Sequence, residues 1–124
     1  MALSKIRLEM ARSPEFPEGS ALHGYEFVAP LDKTGHIDTD AWHAHRAQCR
    51  VKRFWKDEVD EIGHLVRKPG GSWAFHYDIH GGINDDEAGY RFGDHPFIAG
   101  EYVSIREHDE DMNTFRVVSV SLLT

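Results

Sequence analysis

Apolar and polar residues alternate most regularly in the last quarter of the chain. From Glu101 to Glu107, Val103 and Ile105 fall on one face and Tyr102, Ser104 and Arg106 on the other, the pattern of a half-buried strand. Glu107 to Asn113 is mostly polar and reads as a long acidic loop, and Phe115 to Leu123, rich in β-branched and aromatic residues, completes a hairpin. Val117 and Val118 are adjacent, so strict alternation fails there. Phe115 and Val117 share one parity while Val118, Val120 and Leu122 share the other, which predicts a bulge or bend of the kind found where a sheet curls or closes.

The same test finds strands elsewhere. Ile6, Leu8 and Met10 mark one over Lys5 to Ala11, ended by Pro14 and Pro17, and Gly24 to Ala29 makes a second, stopped at Pro30. Arg50 to Trp55, Gly63 to Arg67 and Ser72 to Ile79 follow in quick succession. The last of these sets Trp73, Phe75, Tyr77 and Ile79 against Ser72, Ala74, His76 and Asp78, and its aromatic face should form the centre of the core. Pro69-Gly70-Gly71 is a turn that needs positive φ at glycine. His80 to Gly89 reads as a loop, Tyr90 to Phe92 as a short strand, and the acidic clusters Asp57 to Glu61 and Asp85 to Glu87 as solvated turns.

One helix is predicted, over Asp38 to Cys49. Asp38 is a good N-cap, Asp40 suits the first-turn dipole, and no glycine or proline interrupts Ala41 to Cys49. Ala41, Trp42, His45 and Cys49 share a side, with Trp42 laid onto the sheet as a core anchor. The fold class expected is therefore α+β, mostly β: a single domain over residues 1–124 made of a curled antiparallel sheet or small barrel with one short helix.

Composition changes this picture little and restricts function more. At 124 residues, 40% apolar and 28% charged, the chain can bury one core without staples. No apolar run approaches the roughly 20 residues that span a bilayer, and MALSKIRLEMARS lacks the apolar stretch of a secretory signal, so a cytoplasmic protein with no membrane partner is expected. The lone Cys49 forms no internal disulfide and reads as a small buried residue rather than a nucleophile paired with His45. A net charge of −7 disfavours nucleic acid. The one basic stretch, Arg50 to Lys56, interleaves its cations with Phe54 and Trp55, and a nucleotide or RNA binder acting through Arg50, Arg53 and Trp55 is an alternative.

Nine histidines call for a test as metal ligands. His43 and His45 lie about 200° apart on a helix, which weakens a shared metal. His76, His80, Asp85, Asp86 and His95 are the better set, a carboxylate and imidazole mixture suited to a divalent zinc, iron or manganese ion, and they define a metal-dependent enzyme as an alternative function. Asp109, Asp111 and Asn113 open like a calcium loop, but Thr114 and Val120 stand where glycine and glutamate are required. Neither a phosphate-cradling glycine motif nor a nucleophile elbow is present. A ligand cleft is the remaining option, lined by aromatics such as Tyr25, Trp55, Tyr90 and Phe97 with Arg53 and Arg91 as anion anchors; its core set is Arg53, Trp55, Tyr90 and Arg91.

Two resemblances bear on these residues. The stretches HGYEFVAPLD, HIDTDAW, GHLVRKPGGSWAFHYD and FIAGEYVSI look like a group of small bacterial proteins, alphaproteobacterial in distribution, over most of the chain. That resemblance implies a family and brings no activity with it. Phe97 to Val120 is similar to the closing hairpin of PUA-like and ASCH-like barrels, which implies a barrel and, in many such proteins, binding of RNA or modified nucleotides; the acidic charge argues against RNA, and no binding residue carries over. Without a coherent set of nucleophile, base and oxyanion donors, the expected function is a non-enzymatic binding or interaction module, with a homodimer as its assembly.

Overall fold

The computed structural model describes residues 2–78, 87–90, 92–107 and 111–123. Eight strands follow one another: β1 (Leu3–Met10), β2 (Ser20–Pro30), β3 (Arg50–Phe54), β4 (Glu61–Arg67), β5 (Trp73–Tyr77), β6 (Glu87–Tyr90), β7 (Tyr102–Arg106) and β8 (Met112–Leu122). Each pairs antiparallel with the next, and β8 returns to pair with β1, so the sheet closes into an up-and-down barrel. Closure leaves no strand edge exposed for pairing with another chain.

The expected irregularity in β8 is a bulge that adjusts the closing seam. Arg7 faces Ser119 while Leu8 faces Val117, so Val118 has no partner across β1. Phe115 and Val117 are buried before it; after it the inward phase passes to Val120, which packs against the core opposite Ile6. One extra residue thus shifts the alternation and bends the strand.

Between β2 and β3 the only α-helix among the described residues, α1 (Thr39–His45), is capped by Asp38, whose carboxylate accepts from the Ala41 amide at 2.9 Å. The helix is shorter than the predicted Asp38 to Cys49. A 3₁₀ turn over Arg46–Gln48 replaces its second half, and Cys49, fully buried, belongs to the entry into β3 rather than to a helix face shared with His45. Trp42 anchors the helix as expected: its indole N–H donates to the Leu65 carbonyl at 3.0 Å, and its ring meets Trp73 edge-on at 5.1 Å.

Two further boundaries differ from the sequence reading. The strand expected at Tyr90 to Phe92 runs instead from Glu87 to Tyr90, and Phe92 opens a 3₁₀ turn. Gly89 permits this, because a Cβ there would lie 2.5 Å from the Phe92 ring. Phe92 thus folds back over its own strand, which alternation cannot anticipate. The acidic turns were also misjudged: Glu61 lies within β4, and Glu87 is fully buried.

The interior has two ends. At one, the connection after β2 and the segment after β6 form a plug: Phe92 and Phe97 pack edge-to-face at 5.3 Å, Phe97 meets Phe27 at 5.4 Å, and the Phe97 amide bonds to the Gly35 carbonyl at 2.8 Å. Phe27, Phe75, Phe92 and Phe97 are all at most 1% exposed, and each contributes on the order of 1.5–3 kcal/mol by burial. The other end is bordered by the β1–β2 and β3–β4 connections and, among the described residues, is open.

Candidate functional site: a charged floor at the open end

The strands that deliver aromatic rings to the plug deliver polar groups one inward step further toward the open end. β2 passes from Phe27 to Tyr25, β3 from Val51 to Arg53, β5 from Phe75 to Tyr77, and β7 from Ile105 to Glu107 at its exit, while β6 begins at Glu87. The pairing register keeps them level, since Tyr25 faces Arg53 and Arg53 faces Glu61. The result is a layer of ionisable groups across the barrel, all but Glu61 at most 8% exposed.

Hydrogen bonds tie the layer together. The Tyr25 hydroxyl lies 2.9 Å from Glu87 Oε1 and 3.0 Å from Glu107 Oε1, and Tyr77 donates to Glu87 Oε1 at 2.5 Å. Asn113, at the start of β8, donates a short bond to Glu107 Oε2. The Arg53 guanidinium reaches four carboxylates: Glu107 and Glu58 at 3.4 Å, Glu61 at 3.6 Å and Glu87 at 3.7 Å. Its flat face lies 4.2 Å from the centre of the Trp55 ring.

Burial dominates the electrostatics. It pushes the Tyr25 and Tyr77 phenols well above their ordinary range, and the neighbouring Glu87 carboxylate adds to the effect, so both remain donors. Glu107 is raised as well, by burial, against the opposing pull of Arg53, Tyr25 and Asn113. For Arg53 burial works against the cation, but the negative charge around it outweighs that and holds it above its usual value. Beside the layer, His23 sits between Phe16 and Trp55, 4.6 Å from each ring, with Nδ1 2.6 Å from the Ser20 hydroxyl; burial, then Lys56 and Arg53, lower its affinity for a proton.

Above this floor the barrel opens into a cavity of about 890 Å³. Its walls come from the β1–β2 connection around Phe16, the β3–β4 connection from Trp55 to Asp60, and the start of β8. Apolar side chains stand exposed at the mouth, Val59 at 90%, Met112 at 45% and Ile62 at 39%.

Of the ligand set expected from sequence, Arg53 and Trp55 meet as a stacked pair beside the cavity. Tyr90 ends β6, and Arg91 lies outside the described residues. Tyr25 and Phe97, named as cleft aromatics, are core residues, although the Tyr25 hydroxyl belongs to the charged layer. Of the metal set, His76 takes an outward position on β5, opposite His64, and His95 follows the 3₁₀ turn Phe92–Asp94 in the plug. His80, Asp85 and Asp86 lie outside the described residues, as do Asp109 of the calcium-like stretch and Ile79. Among the described residues no group of three or more His, Cys, Asp or Glu is placed to hold a metal ion. The basic stretch is divided by its strand: Arg50 pairs outward with Asp78 at 3.2 Å, Lys52 outward with Glu26 at 3.2 Å, and Arg53 turns inward.

Sequence reasoning missed Tyr77, Glu61, Glu87, Glu107 and Asn113 as site residues, and it expected Tyr25 as a cleft aromatic rather than as a buried hydroxyl in the layer. The signal was present for Glu107, which keeps the parity of Val103 and Ile105, and for Arg53, which keeps that of Val51. A charged residue in phase with an apolar face at the end of a strand points into the barrel mouth rather than into water. No helix among the described residues is long and apolar enough to cross a membrane. No protein-family model matches this chain, no curated protein matches it, and no solved structure matches it.

Proposed function

We propose that this protein is a small-molecule-binding barrel, a non-enzymatic binding module whose ligand enters the open end and rests on the Arg53, Tyr25 and Glu107 layer. The observation that carries this reading is a cavity of about 890 Å³, the size of an ordinary ligand pocket, that ends on convergent buried polar groups while its mouth exposes apolar side chains. A packed eight-stranded barrel needs no such layer to fold; apolar side chains would fill the space more cheaply. The layer is therefore kept for recognition.

A phosphate-bearing partner fits less well. Arg50, Lys52 and Arg53 each already face a carboxylate. The test is a fragment screen by NMR with the Trp55 indole N–H and the Asn113 side-chain amide as reporters. Saturable shifts at both support the reading. Fragments that move only outer-face signals such as Arg50 and Lys52, or none that move either reporter, reject it.

A further inference from the structure

The Tyr25 hydroxyl stands within hydrogen-bond distance of two carboxyl oxygens, Glu87 Oε1 and Glu107 Oε1, yet a phenol has one proton to give. That hydroxyl is therefore shared between two carboxyl groups, which it holds close together inside the layer. Glu107 lines the cavity and is raised by burial, which makes it the member a ligand meets. Groups facing it come from every neighbouring strand: Tyr25 from β2, Arg53 from β3 and Asn113 from β8 directly, Glu87 of β6 through Tyr25, and through these Glu61 of β4 and Tyr77 of β5. Six carboxylates and two guanidinium groups line the cavity among the described residues, and Arg53, one of those two, is already surrounded by carboxylates. An anion entering here would meet net negative charge, whereas a cation would meet partners. The exposed Val59, Ile62 and Met112 supply an apolar rim for the rest of such a ligand.

We propose that the cavity binds an organic cation, an amine or guanidine carried on an apolar body, whose charged head pairs with Glu107. This rests on the ligand-binding reading above and names its chemistry.

The experiment compares three probes of one shape, benzylamine, benzyl alcohol and benzoate, by NMR titration of the intact chain at neutral pH. Benzylamine should bind at least tenfold more tightly than the other two and shift the Trp55 and Asn113 reporters. Glu107→Gln should weaken benzylamine at least tenfold, and Glu61→Gln, at the margin of the layer, should weaken it a few-fold. Benzyl alcohol or benzoate binding at the reporters as tightly as benzylamine overturns the cation assignment and leaves the binding barrel standing. Benzylamine binding that Glu107→Gln and Glu61→Gln both leave unchanged overturns the placement of the cation beside Glu107. No reporter shift with any probe overturns the cation site and counts against the binding barrel itself.

Discussion

At the closed end, the inward positions of β2, β3 and β5 are Phe27, Val51 and Phe75; one inward step toward the open end, the same strands carry Tyr25, Arg53 and Tyr77. Backbone pairing is the same in both places, and burial is nearly the same. What differs is the cost of each layer. The aromatic end gains free energy from every ring it buries. The polar end must satisfy each group it desolvates, and does so with a network in which loss of one member strands another. Folding strength is concentrated in the plug and ionisable chemistry in the layer.

That division predicts unequal responses to substitution. The largest is expected for Arg53→Met, which leaves the carboxyls of the layer without their shared guanidinium and should cost about 3–5 kcal/mol in denaturant unfolding at neutral pH; an unchanged midpoint would show that the layer is not organised around Arg53. Gly89→Ala drives a methyl into the Phe92 ring and should cost about 1–3 kcal/mol through the plug alone. If the ends are as separate as the packing suggests, cavity reporters at Trp55 and Asn113 keep their signals in that variant; coupled loss at both ends breaks the comparison.

Glu107→Gln should act in the opposite direction. The Glu107 carboxyl is raised in the folded state, so the native protein holds a proton that the unfolded chain releases, and stability falls as pH rises through the folded value. Replacing it with a neutral amide should remove that loss, giving about 0.5–2 kcal/mol of stabilisation at pH 8 that shrinks toward pH 4. Thermal melts across that range check it, and destabilisation at pH 8 contradicts it. A smaller effect belongs to His23, whose proton affinity is lowered: its contribution is present above its unfolded value near 6.5 and lost as pH falls below it. His23→Gln should flatten the decline in melting temperature between pH 7 and pH 5. Smallest of all, Cys49, pushed up to about 11 by burial, should react with a thiol reagent only as fast as the chain unfolds.

Much of the fold was legible because alternation is local. The bulge near Val118, the Asp38 cap, the Trp42 anchor and the glycine turn at Gly70 and Gly71, both at positive φ, all rest on neighbours in sequence. Helix length and the position of β6 were not legible, since a 3₁₀ turn at Arg46 and the fold-back of Phe92 over Gly89 are set by partners far along the chain. The site was half legible. Arg53 and Trp55 stood out by type, but Glu87 and Glu107 looked like loop residues because acidic composition was weighed above phase. Tyr25 and Glu107 are joined by a hydrogen bond across 82 positions, which no local window contains.

Barrel closure also governs how the chain folds. The β1–β8 seam joins Ser4 to Leu122, and the Leu123 amide bonds to the Leu3 carbonyl at 2.9 Å, so the contact that completes the barrel is separated by nearly the whole sequence. Loop-closure entropy for that seam falls due before it returns any stability, which makes the transition state late and refolding slow for a domain of this size. During synthesis, β1 emerges first and waits as an unpaired edge for the last strand. Joining residues 3 and 123 through a short linker and reopening the chain at the Gly70–Gly71 turn would make the β1–β8 seam a hairpin and β4–β5 the long-range closure in its place, so the same barrel should form and folding should stay slow.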